Sequence, residues 1–548
     1  MESACTPIDG DKNEANNEMP GNQEQKYHGH LKEVFLDFAN NTTLHGLKYI
    51  TKAGLRIVER LFWLMIFITS VSMSLYFIYC TWWKWRTSPI IVSFSEKYVP
   101  VEMIPFPSVT ICPQVKFKQS RFNYTNVFML YKSIFPNPDE NETAQETRFN
   151  YTKDMEINDA VTMLCDTPTS FSDAMLTDAS AVQHILDMSP AQEDIFIECT
   201  MKWSKYKNCA ELFFKVLTQE GVCYNLNSLA VHEILKMESL QQDYTYMSAN
   251  ITSEGWTLEN GYISEDPYAY PGRGRENGGV PDLHIELYSM EEDKDRVCGK
   301  YSGYKVFLHH PADLPHSSLY YFAALPQQLS SLALRFTMVT TSEELKNYPI
   351  KTRQCYFPDD KPLRYFLQYT FNNCRLECLS NFTFKSCGCV AFYMPHNNSK
   401  EICSANKMEC VTDAQATLAG LQFKEKEQEC LCLPACNYID YDADIHKTSF
   451  DSFVYDHIIY HYTPFNGSYY NLPKLTYTQI DLFFRESMYM AVHRSELFGV
   501  ADFLADCGGL LGLFYGFSIL SLVEIIYYST FRTFCTIKME SKKDREKT

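Results

Sequence analysis

The stretch Leu61–Cys80 reads LFWLMIFITSVSMSLYFIYC, twenty residues without a formal charge. As an α-helix rising about 1.5 Å per residue it covers about 30 Å, the thickness of a hydrocarbon core. Trp82, Trp83 and Trp85 follow, where indole rings favour the membrane interface. A cleaved leader has its apolar stretch close to residue 1, but the first sixty residues here are polar, so the run is read as a retained span. A second apolar run, Leu497–Tyr528, carries Asp502, Asp506 and Glu524. No other segment is as long and as apolar. Two transmembrane helices are expected, at 56–85 and 497–529.

Charge orients them. Lys48, Lys52, Arg56 and Arg60 precede the first span, and Arg532, Lys538, Lys542, Lys543, Arg545 and Lys547 follow the second. The positive-inside rule places both termini in the cytosol, 1–55 and 530–548, and residues 86–496 outside a multi-pass plasma-membrane protein. Sixteen of the twenty cysteines lie from Cys112 to Cys436, in the loop that would meet an oxidising compartment. N-x-S/T acceptors for glycans begin in the same loop at Asn123, Asn141, Asn150, Asn250, Asn381, Asn397 and Asn466. Asn40 and Asn41 also match, but face the cytosol on this topology. A net charge of −18 argues against nucleic acid as a partner, since phosphates are held by clustered Lys and Arg. A mean hydropathy of −0.26 excludes a many-span transporter.

Residues 1–30 are polar enough to predict disorder, and residues 31–60 predict a short amphipathic segment at the inner membrane face. Phe106–Cys112, Tyr304–His309 and Val390–Tyr393 read as strands, being rich in β-branched and aromatic residues. Residues 122–245 read as mixed and partly helical, and the Gly- and Pro-rich Pro267–Asp282 as a loop. The extracellular part is expected to be one large disulfide-rich α+β domain.

The short spacings Cys387-Gly-Cys389 and Cys430-Leu-Cys432 suit thiolate metal ligands in isolation. Outside the cell disulfides are the better reading, and no metal or cofactor is expected. Sixteen cysteines permit eight bridges, each worth about 2–4 kcal/mol, enough to build a stiff lever. His309-His310 has no partnered nucleophile and no G-x-S-x-G elbow, so it reads as structural and the chain as no enzyme. Arg273 and Arg275, in the Gly-rich loop, read as solvated and not as a phosphate site.

The acids of the second span carry the most information. A charge at mid-bilayer is costly, so it normally faces water or a partner. At 100° per residue Asp502, Asp506, Gly509, Leu513, Gly516, Leu520 and Glu524 fall on one arc of about 80°. Copies arranged about an axis would make a cation pathway with acid at both mouths. Gly508, Gly512 and Gly516 form a series that lets helices approach closely, for packing or for a pore.

These residues resemble the epithelial sodium channel/degenerin superfamily, and within it the insect pickpocket subgroup, from about Thr43 to Tyr528. His45-Gly46 resembles the cytosolic gating motif, and Phe106-Pro-Ser-Val-Thr-Ile-Cys-Pro113 the strand after the first span. Thr218-x-x-Gly-x-Cys-Tyr-x-x-Asn227 and Cys430-x-Cys-Leu-Pro-x-Cys436 resemble the cysteine signatures. Ala505 to Glu524 resembles the pore helix.

The resemblance implies a trimer, of one chain or of related subunits, set among membrane lipids. Its ectodomain would be hand-shaped, as in acid-sensing channels, with palm, thumb, finger and knuckle, and its sodium-selective or sodium-preferring pore blocked by amiloride. Gly516, Phe517 and Ser518 match the selectivity filter, where the helix breaks, which makes Glu524 less secure on the pore arc than Asp506. Ala505 matches the position where a bulky side chain holds degenerin channels open. The implied bridges are Cys112–Cys223, Cys199–Cys209, Cys355–Cys436, Cys374–Cys432, Cys378–Cys430, Cys387–Cys410 and Cys389–Cys403, leaving Cys165 and Cys298 as a possible eighth. Trp82–Ser95 holds no histidine, which argues against proton gating. The alternative is a two-span scavenger or lipid receptor without channel activity, which would need neither the acids nor the glycines of the last span.

Overall fold

The computed structural model describes residues 34–535 except 53, 88–89, 135–152, 166–177, 202–203, 207, 241–251, 254, 259, 264–265, 267–268, 276–279, 290, 317–319, 422–429 and 451–475. The expected N-terminal disorder, the basic tail beyond 535, and Asn141, Asn150, Asn250 and Asn466 lie outside the described residues. The chain divides into two compact units, residues 1–91 with 495–548, and residues 92–494.

The first unit is helical. Ile57–Thr87 is one helix of 31 residues, long and apolar enough to cross a membrane. Only Ser74 is buried along it, while Ile57, Leu61, Met65 and Tyr76 are exposed. A helix apolar all round, with its side chains facing outward, suits lipid and not water. The second apolar run is two helices, Val500–Tyr515 and Ile519–Cys535, bent by 74°. The continuous arc expected from Asp502 to Glu524 therefore stops at Gly516. Helical periodicity carries straight through a glycine, but the Gly516 backbone, at φ +68°, turns the chain out of the helix.

The second unit is built on strands. In chain order these are β1 Ile90–Pro100, β2 Ser108–Pro113, β3 Phe196–Met201, β4 Ser204–Tyr206, β5 Phe214–Thr218 and β6 Gly221–Leu226. Then come β7 Trp256–Thr257, β8 Gly261–Tyr262, β9 Leu283–Ser289, β10 Tyr304–His309 and β11 Tyr321–Ala324. The last are β12 Gln328–Thr341, β13 Tyr438–Ser449, β14 Thr476–Phe484 and β15 Met488–Glu496. The larger sheet has the order β1-β15-β12-β14-β9-β3-β4, with β13 also paired to β12. β12 pairs antiparallel with β13 from Gln328↔Ser449 to Val339↔Tyr438, and parallel with β14. The smaller sheet, β11-β10-β2-β6-β5, is antiparallel in every pairing. β2 is central in it and all six of its residues are buried, so its apolar run is continuous and not alternating. The side chains of Ile111, Leu226, Ile285, Leu332, Ile480 and Phe484 belong to one core.

Two local expectations are corrected. Val390–Tyr393 is not a strand: only Val390 forms a bridge, to Ile402. Its apolar side chains are buried because the Cys389–Cys403 bridge ties the segment into the core as a loop. Arg273 is only partly solvated. Its guanidinium lies 3.8 Å from the Tyr262 ring centre and donates to the Asp266 and Glu102 carbonyls. Beside it, a Cβ on Gly274 would come within 2.6 Å of the Val101 carbonyl oxygen and 2.7 Å of the Phe484 ring, so the loop runs against its neighbours where only glycine fits.

The seven cysteine pairs implied by resemblance are joined, Cys112–Cys223, Cys199–Cys209, Cys355–Cys436, Cys374–Cys432, Cys378–Cys430, Cys387–Cys410 and Cys389–Cys403, and the two cysteines left over form the eighth bridge, Cys165–Cys298. The thiols whose short spacing suited a metal are thus oxidised. Four of these bridges converge on the helix Phe371–Cys387 and the turn after it. That helix is capped by the Thr370 side chain at one end and by Gly388, at φ +75°, at the other.

Candidate pore segment

The helix Val500–Tyr515 starts on Gly499, whose N–H donates to the Asp502 carboxylate at 3.0 Å. An anion on the first turn is favoured by the helix dipole, so Asp502 serves as a cap as well as a surface charge. The Trp85 indole donates to the Phe498 carbonyl at 3.0 Å and stacks on Phe503, with centres 5.0 Å apart. These contacts fasten one end of the two apolar helices together. Farther along, Phe77 stacks on Phe514, and the Tyr515 hydroxyl donates to the Ser70 carbonyl at 3.3 Å.

The opposite face is open. Asp502, Ala505, Asp506, Gly509 and Leu513 are all exposed, Leu513 at 80%. No atom lies within 4 Å of where a Cβ would stand on Gly508 or Gly509. The glycines therefore do not serve packing between the two helices of one chain. The small surface they leave is available to something outside it.

At the break, Gly516 N–H donates to the Gly512 carbonyl at 2.8 Å, and Phe517 N–H to the Leu511 carbonyl at 3.3 Å. Ser518 then caps the next helix, its hydroxyl accepting from Ser521 N–H at 3.3 Å. Two caps back to back, separated by Phe517, hold a three-residue interruption in place.

The Thr42–Gly46 segment packs against this interruption. His45 N–H donates to the Tyr515 carbonyl at 2.8 Å, and the His45 ring fills the space where a side chain on Gly516 would go. The Thr43 and Ser521 hydroxyls are 2.8 Å apart. One Glu524 carboxylate oxygen accepts from Thr43 N–H at 3.1 Å, the Thr43 hydroxyl at 3.1 Å and the Thr42 hydroxyl at 3.3 Å. Gly46, at φ +90°, then turns the chain into the short helix Leu47–Thr51. The sequence names His45, Gly46 and Gly516–Ser518 separately, and the structure brings them together. It moves Glu524 from the proposed pore arc into this contact. Sequence reasoning does not single out Thr42, Thr43 or Ser521 as members of the site, although Thr43 adjoins the His45-Gly46 motif and Ser521 lies inside the pore-helix signature. Thr42 stands out only as part of a glycan acceptor signal, and no local pattern links residues 481 positions apart.

A profile of the family described as amiloride-sensitive sodium channel matches residues 38–528. The chain belongs to this family. Within it the chain falls with the insect pickpocket-like proteins. It is 27% identical to Pickpocket protein 28 of Drosophila melanogaster over 94% of this chain and 82% of that one. It is 23% identical to Sodium channel protein Nach of the same species, over 91% and 87%. With Acid-sensing ion channel 2 of Homo sapiens it shares 24% identity, over 90% and 85%. The amiloride-sensitive sodium channel family is one of channels and not of enzymes, and the matched region contains both the His45-Gly46 segment and the broken helix.

Of the described glycan acceptors, Asn123 and Asn381 are exposed and Asn397 is half-buried. Asn123 Oδ1 accepts from Asn126 N–H at 3.0 Å and Asn381 Oδ1 from Lys400 Nζ at 3.1 Å. Among the described residues no three His, Cys, Asp or Glu side chains are grouped to hold a metal ion.

Proposed function

We propose that the chain is a subunit of a sodium-preferring, amiloride-blocked cation channel of the plasma membrane, opened by an extracellular stimulus and serving a sensory cell. Both apolar segments cross the membrane, both termini are cytosolic, and three homologous or identical subunits surround the pore. Asp502, Ala505, Asp506, Gly509 and Leu513 line its outer part, and Gly516–Ser518 select the ion. The observation that carries this reading is the doubly capped break at Gly516–Ser518 in an apolar helix whose acidic face is open. A receptor anchored by two spans has no need for an interrupted helix or for acids along it. The stimulus acts on the disulfide-stiffened residues 86–496, the spans part near Ala505–Gly509, and Na⁺ enters down its gradient.

The test is expression of Ala505→Val in oocytes under voltage clamp. A standing inward current, abolished by replacing external Na⁺ and reduced by amiloride, is the expected result. Silence with confirmed surface expression, alone and with each related subunit, would sink the channel reading and favour the receptor.

A further inference from the structure

A cavity of about 330 Å³ opens in the second unit beside the start of the helix Phe371–Cys387. That is within the range of small-molecule sites, about 300–1,000 Å³. Asp313 lines it and is 4% exposed. Its Oδ2 accepts from Asn372 Nδ2 at 2.7 Å, while its Oδ1 has no hydrogen-bond partner among the described residues. Asp440, on β13, supplies a second carboxylate from an exposed position. Leu258, Leu308, Phe371 and Ile439 add apolar wall, and among the described residues no lysine or arginine lines the space.

The other titratable groups in the wall bring no positive charge. Burial holds His309 down to about 4 and His310 down to about 3, so both rings are neutral at physiological pH. Each has a local role: His309 Nε2 lies 2.8 Å from the Thr110 hydroxyl, and His310 Nδ1 accepts from Ala312 N–H at 3.1 Å. Burial, and then the Asp440 charge, raise the Asp313 carboxyl to about 6 against the pull of the Thr370 and Asn372 side chains. A buried carboxylate oxygen without a donor is an expensive group to leave alone, and here two carboxylates share one half-apolar cavity.

We infer that this cavity is a binding site for a small organic cation, an ammonium or guanidinium head on an apolar body, with Asp313 taking the head, Asp440 drawing it in and the Phe371–Ile439 wall covering the body. The inference stands apart from the channel reading, because it is measured as binding and needs no current.

The probe is 2-phenylethylammonium chloride, titrated calorimetrically into the purified full-length chain in detergent, with 2-phenylethanol as its neutral counterpart. The ammonium compound should bind at least about tenfold more tightly than the alcohol, as expected where a buried charge is left to be paired. Asp313→Asn, which keeps the size and the Asn372 contact, should remove that preference. Asp440→Asn, at an exposed position where folding is not at stake, should weaken the ammonium compound alone. Equal affinity for the two compounds, no binding of either, or an ammonium affinity unchanged in both folded variants would each overturn the site.

Discussion

Gly516 shows how much one residue decides. Its φ of +68° is one that residues with a Cβ adopt only at a cost of about 1–3 kcal/mol, and a methyl there would overlap the His45 ring. Gly516→Ala, placed in the Ala505→Val background, should reduce the standing current by roughly tenfold or more, since about 1.4 kcal/mol corresponds to a factor of ten. Surface biotinylation alongside voltage clamp separates lost conduction from lost delivery. The need for a glycine is visible in the sequence. The identity of what crowds it is not, because His45 is brought there by tertiary folding alone.

At the scale of elements, the first apolar helix, β2 and β10 are legible because each bears a signal in consecutive residues. The charge-free run gives the first helix, and the apolar, β-branched run of Ser108–Pro113 gives a strand buried on both faces. Ile111→Ala should accordingly cost about 2–5 kcal/mol, read as a lower denaturation midpoint. Val390–Tyr393 carries the same kind of composition yet forms a loop, because a bridge and not a sheet buries it. Cysteine spacing alone leaves metal ligation and disulfides both open, and the pairing comes from resemblance. The Cys387–Cys410 bridge closes 23 residues between the helices Phe371–Cys387 and Met408–Leu421. Replacing both cysteines by serine should cost about 2–4 kcal/mol and expose the second helix to protease earlier than the sheets. Equal protease resistance in the variant would show that packing alone holds the pair.

For the molecule as a whole, two half-buried ion clusters set how stability follows pH. His284, on β9, lies 2.5 Å from Asp481 on β14 and 3.3 Å from Glu286, and these hydrogen bonds raise its pKa to about 9. Its contribution is full below about pH 6.5 and is lost as pH rises through about 9. Glu220 is held at about 2: burial opposes its charge, but Lys116 at 2.7 Å and Lys305 at 2.6 Å more than offset this. That contribution is full above the ordinary glutamate value of 4.5 and fades as pH falls toward about 2. Thermal melting of the full-length chain should therefore weaken on both sides of neutrality. His284→Gln should flatten the alkaline limb, and Glu220→Gln the acidic one. An unchanged alkaline limb in His284→Gln would remove that histidine from the account.

The central claim is that the open acidic face of Val500–Tyr515 lines the conduction path. The most direct measurement places Asp506→Cys in the Ala505→Val background and applies a membrane-impermeant cationic methanethiosulfonate from outside. Covalent attachment of a fixed positive charge should abolish the standing Na⁺ current within the time of modification, and a reducing agent should restore it. A current that persists undiminished once labelling of the introduced thiol has been verified would contradict the claim.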